Sequence, residues 1–275
     1  MLSQTSHPGL AVRERLAELS AYRELVWNLT LRDLRLKYKG SFLGVAWSLL
    51  NPLLMMAIYT VVFSVFLKAF RNLPNYWALV LGGVLAWTFF TNALNSACVC
   101  FVRNPSLISK VYFPIESIPI SIVLANLVNF LIPLAILVVV LLVAHIPLGA
   151  SLVLLPVVVL CQLALTIGLA LAFAALTVFF RDVEHLLTLA LQLGFYLTPV
   201  LFPLDPRAIG GAAWLIPYAK LNPMSWYLES YHAILYYGRW PDWRLFAAML
   251  VFSAIVLVGG YLLFLRLRPR LPEEV

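Results

Sequence analysis

The sequence predicts an all-α, polytopic membrane protein: six transmembrane helices, an N-terminal amphipathic interfacial helix, and short external re-entrant or gate helices. Three observations carry that prediction. Residues 117–180 contain no Asp, Glu, Lys or Arg, a stretch more than twice the roughly 20 apolar residues that one helix needs to cross a bilayer. Hydrophobic residues make up 63% of the 275-residue chain and charged residues 11%, against about 25% charged in a soluble domain. Four further charge-free runs lie between Lys39 and Lys68, Arg71 and Arg103, Glu184 and Asp205, and Arg244 and Arg266.

In chain order, residues 1–41 form a cytoplasmic arm. Its first eleven residues lack helical patterning, and the arm shows neither the compact apolar stretch nor the small-residue site of a cleavable signal. From Arg13 to Lys39 the pattern turns helical. Trp27, Leu31, Leu34 and Tyr38 recur on one stripe, with Arg32, Arg35 and Lys39 beside it. A basic face beside aromatic anchors suits a helix lying in the membrane interface; a solvated helix ahead of the first span is the alternative.

The membrane-spanning body, 42–265, divides into spans near 42–67, 76–101, 117–143, 152–179, 186–203 and 245–265. The first opens on Gly40, Gly44 and Ser48, small residues at four-residue spacing that allow close helix approach. Pro52 removes a backbone donor from that span, and Asn51 is one candidate partner for the carbonyl left over. The long charge-free run breaks at His145-Ile-Pro-Leu-Gly-Ala-Ser151, which predicts a tight turn between two helices. The fifth span is short and contains Pro199 and Pro203, so a re-entrant hairpin is its alternative. In the following external loop, Asn222-Pro223 reads as an N-cap and first turn of a helix running to Gly238. With an apolar stretch at 210–217, that helix is expected to cap the outer mouth, with Trp214 and Trp226 in the lipid-facing belt. Residues 266–275 form a cytoplasmic tail.

Thirteen of the 19 basic residues fall on the side that holds both termini, which the positive-inside rule makes cytoplasmic. The net charge of +7 therefore reads as orientation and contact with anionic lipid, and nucleic-acid binding is not expected. Cys98, Cys100 and Cys161 all fall inside spans, match no metal motif and read as core fillers.

No GxxxxGK[ST] loop occurs, nor any HExxH, paired CxxC or GxSxG. No acidic or basic group stands at membrane depth, as a proton-coupled carrier would keep. Energy must come from outside the chain, or transport is passive. Arg181, Asp182, Glu184 and His185 gather acid, base and imidazole; a solvated turn accounts for them, a membrane-surface transferase being the other reading. Asn92, Asn95, Ser96, Asn126, Asn129, Gln162 and Gln192 stand among aromatics in the spans. Either they line a path for sugar hydroxyls, or they make ordinary interhelical hydrogen bonds between aromatic belts.

Several segments carry a resemblance. The stretch Arg32-Asp-Leu-Arg-Leu-Lys-Tyr-Lys-Gly-Ser-Phe-Leu-Gly-Val-Ala-Trp-Ser-Leu-Leu-Asn-Pro52 resembles the interfacial helix and first span of polysaccharide-export permeases of the type-2 ATP-binding-cassette family, which includes O-antigen and teichoic-acid exporters. Leu107-Ile-Ser-Lys-Val-Tyr-Phe-Pro114, Phe179-Phe-Arg-Asp-Val183, Leu197-Thr-Pro-Val-Leu-Phe-Pro203 and Leu221-Asn-Pro-Met-Ser-Trp-Tyr227 are similar to the same family, in family order.

The resemblance implies a homodimer in the cytoplasmic (inner) membrane with two separate ATPase subunits. ATP and magnesium would bind in those partners, with no cofactor or metal on this chain. The ATPase stroke would be received by residues 22–39, 103–114 and 181–185, that is by Arg32, Arg35, Arg103, Lys110, Tyr112, Phe113, Arg181, Asp182 and Glu184. The substrate would be a polysaccharide on a polyprenyl pyrophosphate carrier, with Lys37 and Lys39 placed to hold the pyrophosphate. A channel between the two copies would be lined by some of Trp47, Tyr59, Trp87, Phe90, Phe195 and Tyr196, since rings offer a sliding sugar broad, weak surfaces. A permease for small amphipathic molecules is the competing reading.

Overall fold

The computed structural model describes residues 22–40, 44–68, 70, 73–103, 114–146, 148–204 and 216–271. Regular structure among them is helical throughout. Five helices are long and apolar enough to cross a membrane: Trp47–Phe66, Tyr76–Cys98, Ser117–Val143, Ala150–Phe179 and Trp243–Arg270.

The N-terminal helix α1 (Arg23–Tyr38) packs along α4 (Ser117–Val143). Its inner face runs through Thr30, which is fully buried; the hydroxyl donates to the Val26 carbonyl at 2.8 Å, with the Ser121 carbonyl 3.4 Å away. The stripe expected to anchor the helix begins at Trp27, which turns away from the protein and is 55% exposed. Helix α2 (Trp47–Thr60) continues as a π-helical turn to Phe66 and buries only Pro52. Leu54, Ile58, Val61 and Val65 stay exposed along it, so one long apolar side of α2 has no partner among the described residues.

Helix α3 (Tyr76–Cys98) is the centre of the molecule, enclosed on most sides by α2, α4 and α5 (Leu155–Phe179). The expected break between α4 and α5 is present: His145 takes a left-handed backbone (φ 54) and a 3-10 turn, Ala150–Leu154, leads into α5.

The fifth expected span, 186–203, is corrected. Helix α6 (Asp182–Leu197) has 16 residues, about 24 Å at 1.5 Å per residue, short of a ~30 Å hydrocarbon layer. It stops because the residue before a proline is driven out of the helical region: Thr198, ahead of Pro199, is extended (φ −105, ψ 147). The chain nevertheless continues in the same direction. Glu184 lies beside Arg103, Thr188 beside Asn95, and Val200 against Gly83. The Tyr76 hydroxyl then donates to the Leu201 carbonyl at 2.6 Å. The passage along α3 is thus part helix and part non-helical turns. A side chain at Gly83 would overlap the Val200 carbonyl, which explains a glycine in the middle of a buried helix.

The short helices α7 (Ile216–Leu221) and α8 (Pro223–Leu235) follow. The Asn222 side chain accepts from the Met224 N–H at 3.1 Å with Pro223 in the first turn, as the sequence predicts. Its location is not as expected. Helix α8 does not lie over the mouth; it is driven between α3, α5 and α9 (Trp243–Leu267), burying Tyr227, Leu228 and Tyr231 to Leu235. Trp226, expected in the lipid-facing belt, is half-buried, donates to the Lys220 carbonyl at 2.7 Å and meets Phe252 edge-on. Trp214 lies outside the described residues.

A relay of two hydrogen bonds ties α8 to α5 and α5 to α3. The Tyr231 hydroxyl donates to Gln162 Oε1 at 2.7 Å, and Gln162 Nε2 donates to the Ala86 carbonyl at 2.8 Å. Gln162→Leu strands both groups in a dry core, at a cost of ~1–2 kcal/mol. The purified protein is expected to melt earlier, and Tyr231→Phe in that background to add little. Full additivity of the two changes would show that the residues do not act as one unit.

The first part of the tail, 266–271, packs against the helices. After α9 a 3-10 turn, Arg268–Arg270, carries Leu271 into a second core with Phe101, Ile118 and Phe264. Arg268 reaches 3.6 Å to Glu116, whose carboxylate is fully buried just ahead of α4.

Candidate functional site

Between α1, α2, α3 and α4 lies a cavity of about 380 Å³. The first turn of α2 places Trp47, Ser48 and Asn51 on its wall, the second half of α3 adds Thr88, Phe89 and Asn92, and α4 adds Asn126, Asn129 and Phe130. Lys37, near the end of α1, closes it. Its ammonium donates to Asn126 Oδ1 at 3.4 Å, while the Asn126 amide donates back to the Ile122 carbonyl at 2.9 Å. Asn126 is thereby oriented from its own helix, and partial burial lowers the Lys37 pKa from the usual lysine range. Pro52 and Pro133 both stand on the wall, each withholding a backbone N–H. A membrane helix tolerates such a break where the backbone faces protein or a polar cavity. Among the described residues no acidic side chain lines the space.

A second feature lies where α2, α3 and α6 meet. Tyr59 and Phe195 have ring centroids 5.5 Å apart, Phe195 and Trp87 6.1 Å, Trp87 and Phe90 5.9 Å, and Phe195 and Tyr196 5.1 Å. Five of the six aromatics expected along a path therefore form one continuous chain of rings. It grades from buried to open: Trp87 and Phe90 are each 7% exposed, Tyr196 64%. Gly194 brings α6 onto the Trp87 ring, since a Cβ there would lie 3.0 Å from it. Trp47 is not part of this chain and stands at the cavity instead.

The amides divide in the same way. Asn92, Asn126 and Asn129 line the cavity, Asn95 meets Thr188 at 3.4 Å, and Gln162 anchors α8. Gln192 and Ser96 are exposed. Sequence reasoning missed Thr88 and the approach of α1 to Asn126; the pairing of Asn126 with Asn129 on one helix face was the available signal.

At the opposite end of α6, Arg103 and Glu184 form an exposed ion pair at 3.5 Å that joins the start of one expected cytoplasmic loop to the other. Arg32 pairs with its neighbour Asp33 at 2.8 Å, and Arg35, Lys39, Arg181 and Asp182 are exposed. Lys110, Tyr112 and Phe113 lie outside the described residues. Among the described residues no group of three His, Cys, Asp or Glu is placed to hold a metal ion.

Comparison with known proteins adds the relatives of this arrangement. The family model for the ABC-2 type transporter matches residues 24–236. The O-antigen export system permease protein RfbA of Myxococcus xanthus is 35% identical over 266 residues, 94% of this chain and 98% of that protein. Two proteins of that description from Klebsiella pneumoniae are 31% and 28% identical, each covering 91% of this chain and 94% of their own length.

Proposed function

The chain belongs to the ABC-2 type transporter family, and from that premise we propose that it is the membrane permease of an ATP-driven exporter of a cell-surface polysaccharide such as O-antigen, carried on a polyprenyl pyrophosphate. The names of its relatives support the substrate class. The observation that carries the reading is the chain of rings from Trp87 through Phe195 to Tyr196. It offers a moving sugar chain repeated flat surfaces and no group that would hold it tightly. The exposed side of α2 and α6 next to those rings is the side on which a second copy would complete a channel.

In this reading two copies assemble with two ATPase subunits in the cytoplasmic membrane, both termini facing the cytoplasm. Arg32, Arg35, Arg103, Arg181, Asp182 and Glu184 belong to the surface that meets the ATPase, with Lys110, Tyr112 and Phe113 in the adjoining loop. The Arg103–Glu184 pair would carry a push on one loop to the foot of α6, and so to the rings above. Lys37 and Lys39 would meet the pyrophosphate.

With no phosphate-cradling loop in the chain, the purified permease alone is expected to hydrolyse no ATP. Activity is expected once a soluble cassette ATPase is co-purified with it, together with glycan at the cell surface. Turnover by the permease alone, or an assembled complex that exports a small amphipathic dye but no glycan, would sink the assignment.

A further inference from the structure

The cavity between α1 and α4 has a chemistry that a sliding chain does not need. Sliding requires weak contacts that recur; here fixed polar groups converge on a single cation. The Lys37 ammonium is held by Asn126, itself tied to the Ile122 carbonyl, so the charge is aimed before any ligand arrives. Ser48, Asn92 and Asn129 add hydroxyl and amide groups to the same space, and Trp47, 47% exposed, presents a ring at its rim. At about 380 Å³ it falls within the roughly 300–1,000 Å³ of small-molecule sites.

Each component selects one part of a ligand. A cation that shares the cavity wall with no carboxylate among the described residues selects an anion. Neutral amides and hydroxyls, which donate and accept, select a polyol. An exposed indole takes the C–H face of a sugar ring. A bare anion would leave the amides and the indole without a purpose, and a neutral sugar would leave the lysine without one.

We propose that this cavity, within a single copy of the chain, binds a hexosyl phosphate: the phosphate on Lys37 and the ring between Trp47 and the amides of Asn92, Asn126 and Asn129. The inference rests on the export reading for its source, since a hexosyl phosphate is the unit through which a glycan would join its lipid. It adds that the permease reads the first sugar and the phosphate together, at a place apart from the aromatic chain. The polyol headgroup of an anionic phospholipid is the other source of similar chemistry.

The test uses the full-length permease in detergent, titrated calorimetrically with glucose 1-phosphate, glucose and inorganic pyrophosphate. Glucose 1-phosphate is expected to bind roughly tenfold or more tightly than either part, about 1.4 kcal/mol of advantage. Lys37→Gln should weaken it at least as much. Asn92→Leu, at an exposed cavity position, should preserve folding yet remove the advantage over pyrophosphate. Equal binding of pyrophosphate, unmoved by Asn92→Leu, would reduce the cavity to an anion site and overturn the proposal. Indifference to Lys37→Gln would place binding elsewhere, with the same consequence. In nanodiscs, displacement of glucose 1-phosphate by phosphatidylglycerol would assign the cavity to membrane lipid and overturn the glycan source. Surface glycan is measured separately in cells: export without glucose 1-phosphate binding removes this inference alone, whereas absence of export from the assembled complex removes the export reading.

Discussion

Gly260→Val is expected to abolish recovery of folded permease. Among the described residues helices α5 and α9 make the most extensive helix pair, and they cross at Gly168 and Gly260. A Cβ on Gly260 would overlap the Gly168 carbonyl, and one on Gly168 would meet the Val256 carbonyl and lie 2.7 Å from Leu257 Cα. The obstacle is backbone on both sides, so no side chain can swing away and the helices must separate. Overpacking commonly costs ~1–3 kcal/mol; a clash of backbone with backbone belongs at or above that range. Between membrane helices, close packing of small residues is itself a main source of association, because lipid is as apolar as the side chains. Gly259 provides the control, since a Cβ there meets nothing within 4 Å. Gly259→Val should elute as a single species with near-native melting, while Gly260→Val yields none. Equal yields for the two would show that the helices do not cross this closely.

Export of long glycan chains is expected to collapse when the outer members of the ring chain are changed together. Tyr59, Phe195 and Tyr196 are the informative set, because Trp87 and Phe90 are each 7% exposed and replacing them would mix a packing defect with a transport defect. Leucine keeps apolar bulk at each site, so insertion and assembly should survive. Ring contacts are worth ~0.5–1.5 kcal/mol each beyond their area, so three of them correspond to about 10- to 1,000-fold if all act during passage. The measurement is surface glycan, sorted by chain length, per unit of inserted permease in the Tyr59→Leu, Phe195→Leu, Tyr196→Leu triple variant. Full-length glycan at the wild-type level would mean that these rings only pack.

The absence of charge from 117 to 180 was enough to place α4 and α5, because a bilayer accepts no unpaired ion and needs every backbone group bonded within its own helix. The turn at His145 and the Asn222 cap of α8 were legible for the same reason: each depends on a few adjacent residues and on no distant partner. Pro199 and Pro203 already marked the weak point of the fifth passage. Their local rule, which bars helix before proline, ended α6 at Leu197 but could not say that Val200 would continue upward against Gly83. The destination of α8 was hidden. A capped, 13-residue amphipathic helix fits an outer surface or an interior equally well, and distant partners put it inside: Gln162 for Tyr231, 69 residues away in sequence, and Ser253 for Tyr227. The site divides along the same line. Which residues were available to it, the aromatics, the asparagines and Lys37, was read from the sequence alone, since composition at membrane depth is conspicuous where charge is forbidden. That Trp47 joins Lys37 and the asparagines while the other five rings join each other was decided by the tertiary structure. Such contacts depend on how closely neighbouring backbones approach, and at Gly83, Gly168 and Gly194 that distance is set by the partner segment as much as by the glycine.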